Sequence, residues 1–197
     1  ATMCYGNLAA IPQTNIKRLL GYSSIGHAGY VVMGLSTASA AGMEAVGYYL
    51  LAYLFSNLAV FLVVASASNA VGGDDLEAYN GLSKRSPLLA ASLFIGLLSL
   101  AGVPPLAGFV GKLLVLLAAM ESHRLWLVMI GALNVAVSLY YYLMVARRMY
   151  LLSPASTQPL SIDRTTRFAL FFLLLGIFLI GIFQEPFLEQ IILALHF

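Results

Sequence analysis

An all-α polytopic membrane protein is the fold class this sequence predicts, and three observations predict it. Of the 197 residues, 61% are apolar and only 9% are charged, whereas a soluble domain is nearer half apolar and a quarter charged. Mean hydropathy is +0.91. The apolar residues also fall into several runs close to the roughly 20 residues that cross about 30 Å of hydrocarbon as a helix.

The runs predict about six transmembrane helices, the first truncated. Residues 1–11, ATMCYGNLAAI, begin at Ala1 rather than Met and are moderately apolar. They cover roughly 16 Å of helix, about half a bilayer, and read as the tail end of a helix that begins elsewhere. The expectation is a carboxy-terminal fragment or the second piece of a split protein. The segment Pro12 to Asn15 closes this partial helix. Lys17 to Ser36 forms the second span, Met43 to Ser68 the third, Leu125 to Arg148 the fifth and Thr166 to Phe183 the sixth. In the tail EPFLEQIILALHF, the residues Phe187, Leu188, Ile191, Ile192 and Leu195 share one face and the acids another, which predicts a short helix lying on the membrane interface.

The fourth element is different. From Pro87 to Met120 the chain stays apolar for 34 residues, about 51 Å as one straight helix and too long for one upright span. Pro104 and Pro105 stand together in its middle, within AGVPPLAGF. Each proline lacks an N–H and clashes with the carbonyl four residues back, so the helix is predicted to break there. Non-helical backbone at membrane depth is tolerated only inside protein or beside a wet cavity, so a broken helix points to a transport path.

Threading these elements alternately through the bilayer sorts the charges. Lys17, Arg18, Lys84, Arg85, Arg147, Arg148, Arg164 and Arg167 fall on one side and Arg124 on the other. That asymmetry is a positive-inside signal placing the loops after the first, third and fifth helices on the cytoplasmic, matrix or stromal side. Tyr140, Tyr141, Tyr142 and Tyr150 flank that inner end, where an aromatic belt is expected.

Nine of the ten basic residues are thereby in loops. The tenth is Lys112, nine positions before Glu121 and 27 after Arg85. Nine residues are about 13 Å of helix, close to mid-membrane. Snorkelling works near a helix end, so this ammonium stays in the hydrocarbon at a cost of at least about 3 kcal/mol. A lysine in that setting, beside the carbonyls of a broken helix, suits the gain and loss of a proton. The competing reading is a structural lysine paired with a carboxylate of another subunit. His27, midway along the second span, is a candidate for the same proton path or a hydrogen-bonded packing histidine. Tyr22, Ser23 and Ser24 either line a water path or glue helices together, with glue the expected reading, and Ser56 and Asn57 are read the same way. Glu44, Asp74, Asp75 and Glu77 are expected to be solvated, and His123 to lie in a loop.

Other chemistry lacks its signals. Cys4 is the single cysteine, so no intrachain disulfide forms. The histidines have no metal-ligand spacing, and no glycine-rich phosphate loop, CxxC pair or basic-aromatic patch for nucleic acid is present. No cofactor or metal bound by this chain is expected.

Three stretches carry a resemblance: QTNIKRLLGYSSIGHAGY at 13–30, SLAGVPPLAGFVGK at 99–112 and SLYYYLMVARRMY at 138–150. They resemble the antiporter-like membrane subunits of complex I, the proton-translocating NADH:quinone oxidoreductase, and within that family subunit 2, also called subunit N. The resemblance implies about fourteen membrane helices in a whole member, with two inverted five-helix repeats. Residues 1–150 would then be the second repeat, helices nine to thirteen with the first partial, and 151–197 a linker, the final transmembrane helix and the interfacial tail. Lys112 matches the family's lysine in the discontinuous twelfth helix, with Pro104, Pro105 and Gly108 at its break, and His27 a position in the tenth helix often held by histidine. The resemblance further implies that NADH, FMN, iron–sulfur clusters and quinone belong to other subunits. The implied partners are the neighbouring antiporter-like subunit, other membrane-arm subunits and the missing amino-terminal half. The implied membrane is the bacterial plasma membrane or the mitochondrial inner membrane rather than the thylakoid. A subunit of a multi-subunit sodium/proton antiporter, whose members share the PPLAGFVGK and KRLL motifs, and a non-transporting membrane scaffold are the alternatives.

Overall fold

The structure, a computed structural model, describes residues 1–154 and 158–195, with the backbone alone at 69–71. Nine helices connected in sequence make up the described residues: α1 (Thr2–Ala10), α2 (Ile16–Leu35), α3 (Ala40–Val71), the single turn α4 (Leu82–Arg85), α5 (Pro87–Ala101), α6 (Ala107–Glu121), α7 (Leu125–Leu151), α8 (Arg164–Ile182) and α9 (Gln184–Leu195). A 3₁₀ turn at Leu76–Tyr79 precedes α4. Helices α3, α7 and α8 are long and apolar enough to cross a membrane. The predicted spans match α2, α3, α7 and α8 within a few residues at each end. Of the tail, the last two residues lie outside the described ones.

Local signals explain the helix starts. Asn15 accepts a hydrogen bond from the Arg18 N–H, Ser39 from that of Gly42, and Asp163 from that of Thr166, each satisfying an amide that has no intrahelical partner. Pro87 opens α5, where its missing N–H costs nothing.

α1 and α2 approach so closely that a Cβ on Gly6 would stand 2.4 Å from the Gly26 backbone nitrogen. Small residues permit this backbone contact, which is how helices associate where lipid offers no hydrophobic drive. The main buried cluster lies between α2, α3, α5 and α7 and includes Leu19, Leu20, Val63, Leu93, Leu97, Tyr142 and Val145.

The inner loops that the charge pattern placed together do come together. Ile16 N–H donates to Asp74 and Leu76 N–H to Thr14, Gly81 N–H donates to the Arg148 carbonyl, and Leu160 N–H to the Arg85 carbonyl. Arg85 is buried at this end, its Nε donating to the Gln158 carbonyl. The opposite end brings Ala1, Ser36, Arg124 and Trp126 around one hollow of about 280 Å³. The two ends thus separate the lone outer arginine from the inner basic loops.

Four expectations need correction. Tyr141 and Tyr142 do not form an aromatic belt: both are buried inside the bundle, while Tyr140 and Tyr150 are exposed. Successive residues on a helix point about 100° apart, so a run of three tyrosines cannot all face lipid. Asp74 is not simply solvated, because Lys17 and Ser68 both bind it. Glu44 is half-buried rather than solvent-exposed. In α9, Phe187, Leu188 and Ile191 pack against Tyr48, Ala52 and Val110, but Leu195 is exposed at the end of the helix.

Candidate proton-transfer site

The broken element is the frame of the site. α5 ends at Gly102, whose φ of +87° is the left-handed conformation that glycine adopts freely. The Gly102 N–H returns to the Leu98 and Ser99 carbonyls and the Val103 N–H to Leu98, so the helix end is satisfied except for its last carbonyls. Pro104 and Pro105, joined by a cis peptide, carry the chain to Leu106, where α6 begins. α6 then passes so close to α5 that a Cβ on Gly108 would stand 1.8 Å from the Ser99 carbonyl oxygen. Gly108 N–H donates to Ser99 Oγ at 3.2 Å. Gly102 and Gly108 are therefore geometric necessities of the break.

Lys112 sits one turn into α6 and reaches back across this gap. It is 3% exposed. Its Nζ donates to the Ala101 carbonyl at 3.0 Å and lies 3.4 Å from Ser138 Oγ on α7. It also stands 5.1 Å from the centre of the Tyr30 ring, within cation–π range. Ala101 is the last residue of α5, so the ammonium occupies the negative end of a half-helix dipole. Among the described residues no carboxylate pairs with Lys112, so the charge rests on a carbonyl, a hydroxyl and a ring face.

His27 belongs to the same site. It and Lys112 both line a cavity of about 10 Å³ with Tyr49, Tyr53, Ser56, Ser99 and Gly108 among the other walls, a volume that admits about one water. His27 Nδ1 is 2.6 Å from the Tyr49 hydroxyl and Nε2 is 3.3 Å from the Tyr142 hydroxyl. Tyr142 is hydrogen-bonded in turn to Ser23. The Tyr53 ring packs on the imidazole at 4.9 Å, and its hydroxyl donates to Ser24. Ser56 Oγ bonds both the Ala52 carbonyl and Ser99 Oγ. Ser23 and Ser56, read as glue with a water path as the alternative, are thus walls or neighbours of the Lys112–His27 pair.

Sequence reasoning found Lys112 and His27 and missed Tyr30, Tyr49, Ser99 and Ser138, and it misplaced Tyr142. A signal was there. Asn134, Ser138 and Tyr142 stand four apart along α7, and Ser23 with His27, and Tyr49 with Tyr53, repeat that spacing on α2 and α3. Polar residues at four-residue spacing in an apolar helix form one inward stripe. A second buried set lies beside this one: Asn7 donates to Asn134 at 2.9 Å and accepts from Tyr141, tying α1 to α7.

Residues 1–138 match the model for the NADH:quinone oxidoreductase/Mrp antiporter transmembrane family. The chain belongs to that family. Among similar proteins, NADH-quinone oxidoreductase subunit N of Moorella thermoacetica is 45% identical over 186 residues, which are 94% of this chain and 39% of that protein. The chain therefore spans about two-fifths of the length of the curated relatives it matches. The Thermus thermophilus respiratory complex I structure with bound aureothin contains a chain 34% identical, with a TM-score of 0.84 over 95% of this chain and 43% of that one. A chain of the Mrp complex of Dietzia sp. is 21% identical with a TM-score of 0.89, covering 97% of this chain and 44% of that one, a likeness of fold alone.

Proposed function

We propose that this chain is part of the membrane arm of an NADH:quinone oxidoreductase and moves protons across the membrane while quinone is reduced in other subunits. The observation that carries the reading is Lys112: a buried cation with no carboxylate partner among the described residues, held by the end carbonyl of a broken helix next to a histidine. A proton carrier needs ligands that tolerate both of its states, and the carbonyl, hydroxyl and ring face around Lys112 do so. Residues 1–150 constitute the second antiporter-like five-helix repeat and 151–197 the linker, final transmembrane helix and tail. NADH, flavin, iron–sulfur and quinone chemistry belong to partner subunits. The partners are the neighbouring antiporter-like subunit and the amino-terminal half of this one, in a bacterial plasma membrane or a mitochondrial inner membrane.

The sodium/proton antiporter reading shares the fold but has weaker sequence support, 21% identity to an Mrp chain against 45% to a subunit N. The test is to tag this protein in its own host, purify it with whatever assembles with it from the membranes and reconstitute it in sealed vesicles. NADH:quinone activity should copurify, and NADH addition should drive proton uptake. Proton movement driven by a sodium gradient, with no NADH-oxidising activity in the preparation, would replace this reading with the antiporter one.

A further inference from the structure

The break beside Lys112 does not hold itself in place. Pro104 and Pro105 have no N–H to give, so the Leu106 N–H bond to the Val103 carbonyl is the one hydrogen bond that residues 104–106 donate. Non-helical backbone at membrane depth also needs protein or a wet cavity over it. What covers this stretch is α8, which lies beyond the residues 1–138 that match the family model.

Ile177 clusters with Leu106 and Ala59, and Ile180 with Ala107, Val110, Tyr48 and Ala52. Gly181 comes closer still. A Cβ there would stand 2.3 Å from the Pro105 carbonyl oxygen and 2.7 Å from the Ala107 nitrogen. Residues 177, 180 and 181 are three and four positions apart and so share one face of the helix. The opposite face, with Phe168, Phe171, Phe172 and Leu175, is exposed. α8 is held in turn by α3, because the buried Tyr48 hydroxyl donates to the Ile180 carbonyl. That carbonyl is among the last four of α8, the ones a helix leaves without a partner of its own.

We propose that the end of α8 is a clamp that covers the break and fixes Lys112 against the Ala101 carbonyl, with Gly181 and Tyr48 as positioning residues. The proposal deepens the proton-transfer reading above and rests on it. Lys112 lies six residues after Leu106 on α6, about 9 Å along the axis. Its Nζ contacts lie outside that helix, at 3.0 Å on Ala101 of α5 and 3.4 Å on Ser138 of α7. A displacement at the start of α6 travels along the helix, since a close-packed interior transmits strain. The Ser138 contact is already long, so a shift of less than about 1 Å breaks it.

The test uses this protein in its assembled complex, in sealed inverted vesicles energised with NADH. Gly181→Ala sets a methyl group against backbone that has to move. Tyr48→Phe removes the bond to the Ile180 carbonyl without adding an atom, and it decides the matter if Gly181→Ala fails to assemble. Gly176→Ala is the control. On the same helix its Cβ would meet the Phe55 ring at 2.2 Å, a side chain rather than the break. At equal complex content, Gly181→Ala should slow proton uptake roughly tenfold and Tyr48→Phe roughly threefold, with Gly176→Ala near the parental rate. Ser138→Ala separates positioning from general damage. A contact already lost is not lost twice, so Gly181→Ala combined with Ser138→Ala should be little slower than Gly181→Ala alone. Parental uptake by Gly181→Ala, an equal loss in Gly176→Ala, or losses that multiply with Ser138→Ala would each overturn the clamp and leave the lysine reading in place. Normal uptake by Lys112→Met would overturn the lysine reading itself, and the clamp with it.

Discussion

Two lysines of this chain occupy opposite physical situations. Lys17, at the start of α2, is about half exposed and forms an ion pair with Asp74 at 2.9 Å, the aspartate also binding Ser68. Lys112, in α6, is buried against a helix-end carbonyl and a serine with no carboxylate among the described residues. The first arrangement is the ordinary one, a charge kept wet and given a partner, and such pairs contribute little. The second costs free energy, since low dielectric penalises an ion whose water is not replaced by an opposite charge. A fold that keeps the second kind of lysine gains something other than stability from it. The polar stripes of α2, α3 and α7 beside Lys112 support the proposed role, a place for a proton to stop.

The comparison breaks most severely if the gap that exposes the Ala101 carbonyl is closed to α6. Gly108→Val places side-chain carbon where the Ser99 carbonyl already is, and overpacking of this kind costs about 3 kcal/mol or more. The subunit should fail to assemble, which native gels of membranes carrying the variant would show as lost complex. Lys112→Met should do the reverse. It fills the same space without the charge, so thermal unfolding of the purified complex should come at the same or a higher temperature, with a gain of up to about 3 kcal/mol, while pumping fails. A lower unfolding temperature would make Lys112 a stabilising charge like Lys17.

Ser138→Ala is a smaller change. It removes one hydrogen bond but leaves the Ala101 carbonyl, a loss of about 1 kcal/mol, and should slow NADH-driven proton uptake roughly fivefold. The smallest effect belongs to the surface pair. The Ser68 hydroxyl and then the Lys17 ammonium hold the Asp74 carboxyl below its usual range. A carboxylate depressed in the folded state contributes its stability above about pH 4, its unfolded value, and loses it as pH falls through the lower folded value. Asp74→Asn should therefore lower the unfolding temperature slightly at pH 7 and flatten the parent's decline in strongly acidic buffer by the same small amount. A large loss at pH 7 would mean that the inner loops depend on this pair far more than its exposure suggests.

How much of this was legible in the sequence follows from the same contrast. Lys112 stood out because a charge among apolar residues violates the pattern of its own helix, and the Pro104–Pro105 break because proline removes a donor wherever it sits. Both are local properties. The hydroxyls of Tyr49, Tyr142 and Ser138 were not legible as parts of the site, because tyrosine and serine occur commonly in membrane helices and their meaning depends on which way they face. Tyr142 was read as belonging to the surface for that reason, although its spacing from Ser138 and Asn134 carried the inward direction. The pairing of Lys17 with Asp74, separated by 57 positions in the chain, depended on how the loop before α4 folds back on α2, and no local signal gives that.

Lys112 is proposed to carry a proton during turnover. Its most direct test is Lys112→Met in the assembled complex in sealed vesicles, with NADH oxidation and proton uptake recorded in one sample. Full assembly is expected, with either fewer protons taken up per NADH or an oxidation rate that falls because it can no longer be coupled. Unchanged oxidation together with unchanged uptake per NADH would contradict it and leave Lys112 a buried structural charge.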